Sequence, residues 1–165
     1  MDQKKTIAIS ACLLGYAVRY DGAHQRNEII IQQLVGRFNI IPVCPEVEIG
    51  LSVPREKIEL HQRGMNVQLL TRGLPVIDLT EQMIEYANTF LKNHQISGVI
   101  LKDKSPSCGV KNCKQYDEAG NMQRKGTGIF AARIMQLEPD LPMLQSHLMG
   151  QPEDLDCFIR KVNEY

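Results

Sequence analysis

The sequence predicts an α/β fold: a Rossmann-like parallel sheet with helices on both faces and an inserted β-hairpin, formed by residues 1–165 as one domain. Three observations carry this reading. Short β-branched and apolar runs alternate with helical stretches, the order expected of a parallel sheet. The alternation breaks once, between Gly50 and Asp78, where two short runs flank a turn. The chain of 165 residues has one domain's length.

Thr6 to Cys12 (TIAISAC) is β-branched and reads as strand one, followed by a loop with a turn at Asp21-Gly22. Asn27 predicts the cap of a helix over Glu28 to Val35, stopped by Gly36. Phe38 to Val43 reads as strand two, and Pro42 within it predicts an edge position or an early end. Ile58 to Leu60 and Val67 to Leu70, with Arg63-Gly64 between them, predict a hairpin that covers one side of a cleft. Thr80 predicts the cap of a helix to about Asn93, with Met83, Ile84, Ala87, Phe90 and Leu91 on its apolar face. Ser97 to Leu101 is strand three. Cys108 to Lys125 reads as a long polar loop, a rare feature that is functional or mobile where it occurs. Gly126-Thr127-Gly128 opens a helix over Ile129 to Leu137, which Pro139 stops, and these helix-start N–H groups are a candidate anion site. Leu141 to Leu144 predicts strand four, and a last helix begins near Pro152 with Leu155, Phe158, Ile159 and Val162 inward.

Composition narrows the function. Lysine plus arginine equal aspartate plus glutamate at 19 each, which argues against strong binding to nucleic acid or to an anionic membrane. No run approaches the ~18 apolar residues of a membrane span, and the first residues show no signal-peptide core, so a cytoplasmic location is expected. Five cysteines in a reducing compartment make a poor disulfide framework. Metal binding, catalysis and packing remain.

Cys12, Cys44 and Cys108 each fall at or just past the C-terminal end of a predicted strand. Parallel strands bring those ends to one edge, so the three thiols are expected to converge in one crevice. Three thiolates suit zinc or an iron–sulfur cluster, and three ligands leave a coordination position open. Zinc spacings of the C-x2-C or H-x3-5-H kind are absent, and the four histidines are scattered. Cys113 is read first as a polar-loop residue, with a fourth ligand as the alternative, and Cys157 as core beside Phe158. Glu46 and Glu48 follow Cys44 closely, and Ser105 and Ser107 flank Pro106 before Cys108. A carboxylate beside a metal crevice can move protons. Arg19, Arg55, Lys102 and Lys104 lie near the cysteines in sequence and are candidates for lowering thiol pKa values or holding an anionic substrate.

Five motifs in order complete the picture: Ala11-Cys12-Leu13-Leu14-Gly15, Val18-Arg19-Tyr20-Asp21-Gly22, Cys44-Pro45-Glu46, Gly50-Leu51-Ser52-Val53-Pro54-Arg55-Glu56 and Ser105-Pro106-Ser107-Cys108-Gly109. Together they resemble a bacterial domain-of-unknown-function family that includes the thiouracil desulfidases, over about residues 6 to 137. The resemblance implies a [4Fe-4S] cluster held by Cys12, Cys44 and Cys108, with one iron lacking a protein ligand. It implies exchange of sulfur for oxygen on a small thiolated pyrimidine, without net redox change. Glu46 and Ser105 are then the expected catalytic residues, and Ser107, Arg55 and Arg19 the expected substrate-binding ones. Two other readings stay open. One is a non-catalytic iron–sulfur or zinc binding module, and the other a hydrolase with Cys108 as nucleophile, which leaves Cys12 and Cys44 without a role.

Overall fold

The computed structural model describes residues 4–165. Its centre is a four-stranded parallel sheet made of β1 (Thr6–Ser10), β2 (Asn39–Val43), β5 (Gly98–Leu101) and β8 (Met143–Gln145), in the spatial order β2-β1-β5-β8. The chain leaves β1 toward β2 on one side and later returns to β5 on the other. The order therefore reverses between β1 and β5, and a crevice opens at their C-terminal ends. β2 is an edge strand, which is why Pro42 can occupy it without breaking a ladder on both sides.

Helices cover both faces, as expected. On one face α1 (Glu28–Leu34) and α5 (Pro152–Glu164) bury Ile30, Leu34, Leu155, Phe158, Ile159 and Val162 against Ile7, Ile9 and Ile100. On the other, α3 (Thr80–Asn93) and α4 (Ile129–Leu137) bury Met83, Ala87, Phe90, Phe130 and Ile134 against Ala8, Val99 and Leu101. Strand residues alternate between the two sets because successive side chains point to opposite faces. Asn27 caps α1 as expected, its Oδ1 accepting from the N–H groups of Ile29 and Ile30 at 3.0 and 3.2 Å. Thr80 does not cap α3. It is the helix's first residue, its N–H donates to Asp78 Oδ1 at 2.9 Å, and its hydroxyl accepts from Leu69 N–H at 2.8 Å. Asp78 thus does the work that the sequence assigned to Thr80.

The insertion is an antiparallel hairpin, β3 (Ile58–Arg63) with β4 (Asn66–Thr71), but it does not stand alone. The stretch read as a long polar loop forms β6 (Cys113–Tyr116) and β7 (Met122–Gly126). β6 pairs with β3 in parallel, giving a second sheet of order β4-β3-β6-β7. β7 has no buried residue, and only Cys113 and Gln115 of β6 point inward, so hydrophobic period offers almost no signal there. Cys113 is fully buried at the start of β6, not a polar-loop residue. Cys157 is half-buried on the flank of α5 rather than in its core stripe.

Candidate active site

Three chain segments deliver the cysteines to the crevice. β1 passes into one turn of 3-10 helix, Ala11–Leu14, which carries Cys12. β2 passes into α2 (Pro45–Glu48), a single turn with Cys44 at its N-cap and Pro45 at its first position, where a missing N–H costs nothing. β5 leads into the Ser105 to Gly109 loop that carries Cys108. The three residues line one cavity of about 270 Å³ together with Ser10, Arg19, Glu46, Arg55, Lys102 and Ser105, among others. Cys12 and Cys108 are buried, and Cys44 is half-buried with its thiol 3.8 Å from the Val18 carbonyl.

The cavity disfavours bare thiolates. Burial pushes the Cys12 thiol up to about 11, helped by the neighbouring Cys44 and opposed by Lys102 and Arg19. Burial raises Cys44 as well, with Glu46 adding to it and Arg55 opposing. Cys108 is pushed well above the ordinary thiol range, first by burial and then by the charges of Glu46, Cys44 and Cys12, while the Ser10 hydroxyl opposes. Three like charges in a dry crevice repel one another, so the thiols stay protonated unless a cationic group replaces the protons. The donor set is the one that thiolate-bound iron–sulfur clusters use. Among the described residues, no three His, Cys, Asp or Glu side chains close tightly enough to grip a single ion. All three thiols belong to residues that line the one cavity.

The Cys108 loop is held from four sides. Ser105 Oγ accepts from the N–H groups of Ser107 and Cys108 at 3.2 and 3.1 Å. The buried Gln145 side chain accepts from Val110 N–H at 2.9 Å and donates to the Cys108 carbonyl at 3.4 Å. The Cys113 thiol donates to the Ser105 carbonyl at 2.7 Å. At the start of α4, the N–H groups of Gly128, Ile129 and Ala131 donate to the carbonyls of Gly109, Pro106 and Ser107. Those donors are therefore spent on the loop, and the anion site expected at Gly126-Thr127-Gly128 is not formed. Glycine at 128 has a packing reason instead, since any Cβ there would collide with the Ser107 carbonyl.

Glu46 is fixed from both oxygens. Oε1 accepts from Ser107 Oγ at 2.9 Å, and Oε2 from Arg55 Nε at 2.7 Å. Arg55 spends its other nitrogens on the Val18 carbonyl, 2.8 Å from Nη2, and the Ser52 carbonyl, 3.3 Å from Nη1. The Glu46 and Arg55 side chains are only 14 % and 6 % exposed. Arg55 thus gives three of its five N–H groups to the protein while lining the cavity. Ser107, 1 % exposed, sits behind Glu46 and not on the cavity wall. Of the residues expected to bind substrate, Arg55 lines the cavity and Ser107 does not. Arg19 does line the cavity, with Nε 3.4 Å from Asp21 Oδ1. Sequence reasoning passed over Ser10 and Gln145, for which a lone polar residue in a strand gives no signal, and it met Tyr20 only as part of a motif, with no role assigned.

A second cavity of about 690 Å³ adjoins the first and shares Tyr20, Glu46, Lys104 and Pro106 with it. Ile58 and Glu59 of β3 line it, so the hairpin does wall one side of a cleft.

The site and fold together define an α/β protein whose switch-point crevice is walled by three thiols and an anchored carboxylate. The chain belongs to the 2-thiouracil desulfurase family, whose family model matches residues 7–146. It is 33 % identical over 138 residues to the uncharacterized protein YbbK of Bacillus subtilis (strain 168), covering 79 % of this chain and 89 % of that one. Among solved structures it resembles the [4Fe-4S]-dependent thiouracil desulfidase TudS, with a TM-score of 0.63 and 27 % identity over 95 % of this chain and 99 % of that one.

Proposed function

We propose that this protein is an iron–sulfur-dependent desulfidase of small thiolated pyrimidines such as 2-thiouracil. The observation that carries the reading is one cavity lined by Cys12, Cys44, Cys108 and a doubly anchored Glu46, in a chain of this family. The three cysteines would hold a [4Fe-4S] cluster and leave one iron without a protein ligand. That group supplies a Lewis-acidic iron matched to a soft thiocarbonyl sulfur.

In the net reaction water adds its oxygen to the thiocarbonyl carbon and the C–S bond breaks with its electron pair on sulfur. Hydrosulfide and a proton leave, and nothing is oxidised or reduced. Glu46 is the residue we assign to take the proton of the attacking water. Arg55 and Ser107 use one lone pair on each of its oxygens, and a carboxylate has about four acceptor sites in all. Ser105 is the residue we assign to donate. Its Oγ already accepts two backbone N–H groups, so its own proton remains free for the cavity it lines. Arg55 and Ser107 are positioning residues that hold Glu46. Arg19, on the wall, keeps guanidinium N–H groups for the pyrimidine. A reducing cytoplasm suits five cysteines that are all free, and among the described residues no helix is long and apolar enough to cross a membrane.

Anaerobic reconstitution tests this reading. Iron and acid-labile sulfide counts with a brown visible band identify the cofactor, and sulfide and uracil appearing in equal amounts from 2-thiouracil identify the reaction. A loaded protein that releases no sulfide is a binding module. Zinc in place of iron ends the cluster reading.

A further inference from the structure

We propose that Lys102 is the anion-holding residue of the cavity, its ammonium receiving the hydrosulfide that leaves the pyrimidine; this rests on the desulfidase reading and goes beyond it. Lys102 lines the same wall as Cys12 and Cys108. Its Nζ makes two contacts, to the Asp103 carbonyl at 3.0 Å and to Asp103 Oδ1 at 2.8 Å. An ammonium has three donors, so one N–H is left for whatever fills the cavity.

The lysine is also held still. Ser146 Oγ donates to Asp103 Oδ1 and accepts from Asp103 N–H at 3.1 Å, which pins the carboxylate that orients Nζ. The Lys102 backbone N–H donates to Ser10 Oγ at 2.9 Å, which fixes the lysine at the end of β5. With side chains 17 % and 12 % exposed, Lys102 and Asp103 are poorly reached by solvent, so water screens the ammonium weakly while the Asp103 carboxylate offsets part of its charge. The other cations of the cavity are less suited. Arg55 gives three of its five N–H groups to Glu46 and two carbonyls and serves to hold Glu46, Arg19 is more exposed, at 24 %, and is assigned above to the pyrimidine, and Lys104 is exposed. A neutral thiouracil gains little from a fixed ammonium, whereas charge develops on sulfur as the C–S bond breaks. The lysine thus favours the departing sulfide over the substrate, the differential that lowers a barrier.

The test uses Lys102→Met and Lys102→Arg, each reconstituted anaerobically and counted for iron. Two readouts follow: steady-state turnover of 2-thiouracil, and inhibition and visible-band titration with sodium sulfide. Lys102→Met should load iron as the parent does and keep its KM for thiouracil within about threefold. It should lose about 10- to 100-fold in both kcat and hydrosulfide affinity, the span of one charge-assisted hydrogen bond. Lys102→Arg, which keeps the charge, should restore most of both. Unchanged hydrosulfide affinity in Lys102→Met overturns the proposal. So does a Lys102→Met protein that cannot be loaded with iron, because the lysine would then serve cluster retention. If the parent releases no sulfide from thiouracil, the desulfidase reading fails on its own, and the sulfide titration still decides the lysine.

Discussion

Replacing Arg55 with methionine isolates what holds Glu46 in place. The substitution keeps an unbranched apolar stem and removes the guanidinium. It leaves a buried carboxylate with one partner, Ser107, and leaves the Val18 and Ser52 carbonyls without their donor. Both members of the pair are largely buried, so this is not a surface ion pair. Removing one partner from a buried pair costs about 3–5 kcal/mol, because the remaining charge is uncompensated. For a chain of this size each kcal/mol is worth about 2–4 °C, so the thermal midpoint of the metal-free protein should fall by roughly 6–20 °C. The double variant Arg55→Met/Glu46→Gln removes the charge left behind and should recover at least half of that loss. Arg26→Met, which breaks the exposed Arg26–Glu28 pair, serves as control and should leave the midpoint unchanged. The readout is thermal unfolding under reducing conditions for the four proteins. If Arg55→Met and the double variant are equally destabilised, Glu46 is not a stranded charge. If Arg55→Met behaves like Arg26→Met, the anchoring argument fails.

Further outcomes follow from the same geometry. Serine at 12, 44 or 108 should abolish or destabilise the visible band, whereas Cys113→Ser and Cys157→Ser should retain it; loss of the band only in Cys113→Ser would move the ligand set. Ser105→Ala and Glu46→Gln should keep iron near the parent level and lower sulfide release by roughly 10²–10⁴, the range of a positioned acid or base. Ser107→Ala should fall less, since Arg55 still holds the other oxygen of Glu46, and a larger loss in Ser107→Ala than in Ser105→Ala would reverse their roles. Metal-free protein should lose stability as pH rises from 9 to about 11, because burial raises the Cys12 and Cys113 thiols to about 11. Below pH 9 folded and unfolded chains both carry those protons, and in the window the unfolded chain gives them up first, which favours unfolding. A midpoint that stays flat to pH 11 would contradict the burial of these thiols.

Legibility in the sequence tracked how each feature is encoded. The parallel sheet and its helices were readable because Ile7, Ile9, Val99 and Ile100 are continuous apolar runs, and because the apolar faces of α3 and α5 keep helical period. The second sheet was half readable. β3 and β4 carry alternating apolar residues around a turn, but β6 and β7 turn almost nothing inward, and β6 is recruited by a parallel pairing with a strand some fifty residues earlier in the chain. Such a partner cannot be read from local pattern. The polar residues between Cys108 and Lys125 looked like loop because what holds them is backbone pairing and the Cys113 anchor.

The site divides along the same line. Convergence of three cysteines followed from topology alone, since parallel strands deliver their C-terminal ends to one edge. Which polar side chain faces the cavity did not follow, because it depends on rotations within one turn. Ser105 and Ser107 are two residues apart on one loop, yet Ser105 lines the crevice and Ser107 lies buried behind Glu46. Arg55 shows the same limit. Its sequence neighbours suggest a cation for substrate, and only the folded chain reveals that Glu46, Val18 and Ser52 take three of its five N–H groups. Lys102 is the converse case, one of four cations that the sequence offers near the cysteines, whose two contacts to Asp103 leave one donor beside a cavity of thiols. What each charge holds, residue by residue, therefore separates Arg55, which seats Glu46, from Lys102, which we propose to act in the crevice.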